Sequence, residues 1–177
     1  MIQGKPDNEL VEQAARGDGD SFTELCRRFY PPLVAIGHAI TGDRHLAEDA
    51  AQQALAKAAV NLPKLRKPEQ FGSWLAAICR NAATDIIRHR ALSAQRLDAE
   101  AVSQGQTDDA LGEAVRQGLT HLPAQAREAI YLRYYDGLTY DQMSAVLGVS
   151  QQAINGRLRR AKRELEKYLR RQGFDEA

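Results

Sequence analysis

The sequence predicts an all-α fold made of two small helical domains, the second ending in a helix-turn-helix, joined by a flexible linker. Three observations carry this. Apolar residues recur at spacings of three and four through most of the 177 residues, and no stretch alternates as a strand would. Hydrophobic residues make up 44% of the chain but aromatics only 6%, so the cores must be built from Ala, Leu, Ile and Val, a mixture that favours helices. Residues 91–110 lose the periodicity and are rich in Ser, Gln, Gly, Asp and Ala, the composition of a linker.

In chain order, Asn8 to Arg16 forms a short helix stopped by Gly17. Ser21 and Glu24 have capping-box spacing and open a helix with Phe22, Leu25, Cys26, Phe29 and Tyr30 on one face. Pro31 and Pro32 break or kink the chain, and a further segment with Leu33, Ile36 and Ile40 runs to Thr41-Gly42. Asp43 caps the next helix, with Leu46, Ala50, Ala54, Ala58 and Leu62 inward, before Pro63 ends it. After the basic loop 64–68, a long helix carries Phe71, Trp74, Leu75, Ile78, Ala82 and Ile86 and ends near Arg88-His89-Arg90. Beyond the linker, a helix from Leu111 reaches Leu122, and Pro123 suits the first position of the next, which extends to Tyr134. Asp136-Gly137 makes a turn. Thr139 and Gln142 form a second capping-box spacing, Gly148 stops that helix, and Ser150 caps the last, with Ile154, Leu158, Ala161, Leu165 and Leu169 inward.

The net charge of +1 conceals a segregation. Residues 91–113 hold one basic and five acidic side chains, whereas residues 150–171, a single helix by periodicity, hold eight basic and two acidic. Such a stripe suits an anionic polymer. Other classes find little support. No apolar run reaches the roughly 18 residues of a membrane span and the N-terminus does not resemble a signal peptide, so the chain is expected in the cytoplasm without membrane insertion. Cys26 and Cys79 lie far apart in helical apolar patterns and offer no disulfide framework or metal spacing. The four histidines lack ligand-spaced partners, and neither a phosphate-binding glycine loop nor a nucleophile motif occurs; no enzyme, metal site or cofactor is expected.

The unit from Thr139 onward has the proportions of a helix-turn-helix, whose second helix enters the major groove. With Ile154, Leu158 and Ala161 inward, the 100° step places Gln152, Gly156, Arg159 and Arg163 on the far side, flanked by Asn155 and Arg160. Asn and Gln can pair bidentately with adenine, and Arg with guanine or phosphate.

The run from Leu122 to Leu169 resembles region four of the bacterial sigma factors, the domain that reads the minus-thirty-five promoter element. The segments GDGDSFTELCRRFYPPL, TGDRHLAEDAAQQAL and FGSWLAAICRNAATDIIRHR resemble region two. With these two blocks in order and no room for further domains, the chain is similar to the short, extracytoplasmic-function group. The resemblance implies region two over 1–92, for core polymerase binding and minus-ten recognition and melting, a linker over 93–110, and region four over 111–177. It implies no catalytic chemistry, with core RNA polymerase (the clamp helices of its largest subunit, and its flap) and promoter DNA as partners. Members of the group are often held by an anti-sigma factor, and no residue here identifies one. A conventional helix-turn-helix regulator acting without polymerase would account for the second half but not for the AEDAAQ and WLAAICRN blocks.

Residue by residue, the resemblance places Glu48, Asp49 and Gln52 on the clamp-helix motif and Asn81 on a position that contacts an unpaired minus-ten base. Lys57, Lys64, Arg66 and Lys67 become backbone contacts to the melted strand. Asn155, Gly156, Arg159 and Arg160 match base- and backbone-contacting positions of region four, in agreement with the helical wheel. Trp74 reads as core packing between Phe71 and Ile78. The chain departs from the pattern at Leu55, Ala59 and Leu65, where an aromatic is common, and at the run Ala153 to Gly156, which is less basic; the promoter sequence therefore does not carry over.

Overall fold

The computed structural model describes residues 4–94 and 110–174, and among these only helices and turns occur. Among the described residues there are eight α-helices: α1 Asp7–Ala15, α2 Gly19–Thr41, α3 Arg44–Asn61, α4 Phe71–Ala94, α5 Ala110–His121, α6 Ala124–Ile130, α7 Tyr140–Leu147 and α8 Gln151–Arg171. The linker expected over 93–110 falls largely on residues 95–109, outside the described residues.

The first half packs α1, α3 and α4 around α2. Contrary to expectation, α2 runs unbroken through Pro31 and Pro32. Two prolines remove two backbone donors and crowd the preceding turn. That cost is offset because Leu25, Phe29, Leu33 and Ile36 form one buried stripe on both sides of the pair, and only a continuous helix keeps them aligned. The start of α2 also differs from the sequence reading. Asp18, not Ser21, is the cap: its carboxylate accepts from the backbone N–H groups of Asp20 and Ser21, and the Ser21 hydroxyl donates to Asp18 Oδ2 at 2.8 Å. A carboxylate at a helix N-terminus gains from the helix dipole as well as from the hydrogen bonds.

Glu24 serves another purpose. It accepts from Arg27 at 2.8 Å and from Arg28 Nε at 2.7 Å, while Arg28 Nη1 donates to Asp7 at 2.7 Å and to the Lys5 carbonyl at 2.8 Å. The cluster ties the entry of α1 to α2. Helices α2 and α3 approach closely at Gly37, where a Cβ would lie 3.0 Å from the Ala47 Cα and carbonyl oxygen. Ala47, Ala50, Ala51, Ala54 and Ala58 are all buried along α3, so the contact is backbone against small side chains.

In the second half, α6 gives way at Tyr131–Tyr135 to a wider π turn, and Pro123 sits at the cap before α6. The capping box of Thr139 and Gln142 is formed in both directions, and Gly148 takes φ 66° where α7 stops. Ser150 then caps α8 by accepting from the Ala153 N–H.

The halves are packed together. The main apolar cluster continues from Phe29, Leu33 and Phe71 into Leu132, Leu138, Met143 and Val146. Arg80 on α4 meets Glu128 on α6 at 2.9 Å. Burial pushes the Glu128 carboxyl up from its ordinary value, and Arg80 opposes this.

Two stability predictions follow from the α2 contacts. Gly37→Ala should cost about 1–3 kcal/mol, because backbone on α3 must give way, and this is read as a lowered midpoint of thermal unfolding. The hydrogen bonds from Arg27 and then Arg28 hold Glu24 down at about 2 against an ordinary 4.5. Since its folded value lies below its unfolded one, its contribution should be complete above pH 4.5 and vanish as pH falls through 2. Denaturant titrations of wild type and Glu24→Gln should therefore converge across that window.

Candidate nucleic-acid interface

Helix α8 has the two faces expected. Ile154, Leu158 and Ala161 are buried, and Gln152, Asn155, Arg159, Arg160 and Arg163 are exposed, with Gly156 intermediate. The head of the helix is braced from α7: the Ser144 hydroxyl donates to the Val149 carbonyl, and Gln151 donates to Asp141. Among the described residues, no salt bridge engages Arg159, Arg160 or Arg163, whereas Lys167 is paired with Glu164 at 3.1 Å. Lys162 lies over the Tyr134 ring, 5.1 Å from its centroid. The positive charge of the outward face is therefore left for an external anion.

A second basic surface lies in the first half. Lys57, Asn61, Lys64, Leu65, Arg66, Trp74 and Ile78 line a cleft of about 440 Å³. Its walls come from the last turn of α3, the loop beyond it and the first turns of α4. Trp74 packs at a tilt on Phe71, 6.0 Å between ring centroids, and also lines this cleft, so the core reading of this residue covers only part of its surroundings. Asn61 went unnoticed in the sequence. Its amide donates to the Lys57 carbonyl at 2.9 Å and its oxygen accepts from Lys64 at 3.2 Å, which fixes the cleft rim. The only sequence signal was its spacing of four from Lys57 and three from Lys64.

Lys57, Lys64 and Arg66 are thus brought together, but Lys67 and Asn81 are not among the lining residues. Asn81 is exposed on α4, seven residues after Trp74 and so on the same side about 10 Å further along. On α3, Asp49 and Gln52 are exposed, and Glu48 is partly covered and paired with Arg44 at 2.9 Å. These three form a polar edge on the outside of the first half.

Sigma-70 region 2 matches residues 25–92, and Sigma-70 region 4 matches residues 112–165. The chain belongs to the sigma-70 family. Its relatives place it in the ECF group. It is similar to the ECF RNA polymerase sigma factor SigW of Bacillus subtilis, 28% identical over 90% of this chain and 95% of that protein. The RNA polymerase sigma-H factor of Pseudomonas aeruginosa is 27% identical over 96% of both. Among solved structures, CnrH in complex with the cytosolic domain of CnrY matches with TM-score 0.58 and 25% identity, over 92% of this chain and 96% of that one. The sigma factor RpoE in complex with the anti-sigma factor NepR from Bartonella quintana matches with TM-score 0.57 and 26% identity, over 85% and 98%. This sigma factor directs transcription initiation with RNA polymerase and is not an enzyme. Among the described residues no helix is long and apolar enough to cross a membrane.

Gly156 provides a test of the outward face. A Cβ there would meet only the end of the Arg160 side chain, at 4.0 Å, so nothing in the fold demands glycine. Gly156→Ala should raise stability by up to about 1 kcal/mol, seen as a higher thermal midpoint. A lower midpoint would mean that the surface is constrained by something other than helix propensity.

Proposed function

We propose that the sigma factor divides its task among three surfaces: the α3 edge docks on polymerase, the first-half cleft holds melted minus-ten DNA, and α8 reads the minus-thirty-five element. Residues 1–92 would thus act as region two and 111–177 as region four, with 93–110 between them. The observation that carries this reading is the presence, in one chain, of two separate basic surfaces of different shape. One is a cleft with an indole in its wall, suited to an unpaired base. The other is a convex helix face with amides and guanidinium groups, suited to a major groove.

On α8, Asn155 and Arg159 lie where base edges would be reached, and Gln152, Gly156, Arg160 and Arg163 surround them. Lys57, Lys64 and Arg66, with Lys67 beside them, draw the melted strand by charge, which needs little geometry. Asn81 would meet a neighbouring base along α4, outside the cleft proper. Glu48, Asp49 and Gln52 would face the clamp helices of the largest polymerase subunit, and region four would face the flap. Transcription initiation of this kind would take place in the cytoplasm. The anti-sigma factor named with one structural neighbour supports a regulator of that kind here.

Run-off transcription with purified core polymerase on genomic fragments tests the reading directly; no promoter-specific product would remove it. In a core-binding titration, Asp49→Ala with Gln52→Ala should weaken affinity while the circular dichroism spectrum is unchanged. In promoter competition, Asn155→Ala and Arg159→Ala should each cost about 1–3 kcal/mol at a cognate upstream element, whereas Arg163→Ala should weaken cognate and scrambled sequences alike. Equal losses for all three variants would make Asn155 and Arg159 backbone contacts.

A further inference from the structure

We propose that Tyr134 and Lys162 together form a phosphate seat for promoter DNA, beside the face of α8 that meets base edges and indifferent to sequence; this rests on α8 being the upstream reader, as set out above. Tyr134 is 57% exposed, unusual for a large ring. Its exposure has a local cause. Between Tyr131 and Tyr135 the chain widens into a π turn, and the extra residue taken up by such a turn shifts the register of the side chains around it, a device frequent at functional sites. Tyr134 is thereby presented to α8, where the Lys162 ammonium lies 5.1 Å from its ring centroid.

The way Lys162 is held matters. It is exposed and, among the described residues, makes no salt bridge, although Glu166 stands one turn further along the same helix. A carboxylate partner would have cancelled its charge. The negative face of a ring instead orders the ammonium and leaves its charge and N–H donors available. The Tyr134 hydroxyl likewise has no hydrogen-bond partner among the described residues. One small patch thus offers a positioned cation and a hydroxyl, both lacking an acceptor. Phosphate oxygens suit that pair, and an ammonium already ordered loses less freedom on binding them.

The position on α8 decides between a phosphate and a base. Lys162 follows Asn155 by seven residues and Arg159 by three, so the three share one side of the helix. Base edges are reached by the N-terminal residues of such a helix. Lys162 is the twelfth residue of α8, about 16 Å from its head at 1.5 Å per residue. The major groove is only about 12 Å wide. At that distance the helix has left the groove, and a strand's phosphates border it. Arg160 stands on the opposite flank, so each rim of the groove would meet a cation.

Binding of the full chain with core polymerase to duplex promoter fragments, followed over a range of salt concentrations, tests this. Lys162→Ala should weaken cognate and scrambled upstream elements by the same factor. It should also flatten the slope of log affinity against log salt by about 0.9, the share of one phosphate on B-DNA, and Lys162→Arg should restore both. Tyr134→Ala, which frees the ammonium but keeps its charge, should weaken binding severalfold. Both side chains are exposed, and equal thermal midpoints show that the variants keep the fold. A single neutral methylphosphonate moved along each strand locates the contact: at one position flanking the upstream element it should weaken wild type but not Lys162→Ala. An unchanged slope for Lys162→Ala, or no position at which the two losses merge, would overturn the phosphate seat. So would a loss that appears in titration with core polymerase rather than with DNA, since the patch would then be a protein contact. Because the slope is read on scrambled DNA as well, a wild type that prefers no upstream element would remove the reading of α8 while the slope still decides the seat.

Discussion

Everything in this structure leans on the continuity of α2. Its apolar stripe from Leu25 through Phe29 and Leu33 to Ile36 is the surface against which the other first-half helices settle, and its C-terminal end carries His38 to the second half. A break at Pro31 would rotate one part of the stripe relative to the other, so that α3 and α4 could not both bury their small residues on it. The energetic contest is between two missing backbone hydrogen bonds and the burial of several large side chains. Burial wins, since each fully buried Leu, Ile or Phe contributes about 1.5–3 kcal/mol.

The same contest explains which parts of the fold were legible in the sequence. Local chemistry read correctly wherever a cap or glycine decided the matter alone: Asp43 before α3, the Thr139 and Gln142 box, Gly148 and Ser150. The inward set Ile154, Leu158 and Ala161 was equally legible, because periodicity on a two-sided helix leaves one answer. The reading failed at Pro31-Pro32, where a local rule was overruled by tertiary burial, and at Ser21, where a stronger acceptor stood three residues earlier. In both places the deciding partner was absent from the window being read.

The site divides in the same manner. Charges on α8 could be placed from the wheel, but the cleft is made of three segments, and no spacing rule joins Lys57 to Trp74. The contacts between the halves were less accessible still. Arg80 and Glu128 are 48 residues apart, and His38 read as one of four scattered histidines until Tyr131 and Tyr135 were seen against it.

The outward arginines of α8 have a further consequence for the protein as a material. Arg159, Arg160 and Arg163 repel one another across neighbouring positions of one helix, with no salt bridge among the described residues to compensate. In the free chain α8 therefore bears a small like-charge repulsion along this face, which dissolved salt screens. Phosphates bound along this face, as proposed above, would supply the missing counter-charge and, by binding the folded helix, would shift its folding equilibrium toward order. On that proposal the helix would be held more firmly when bound than when free.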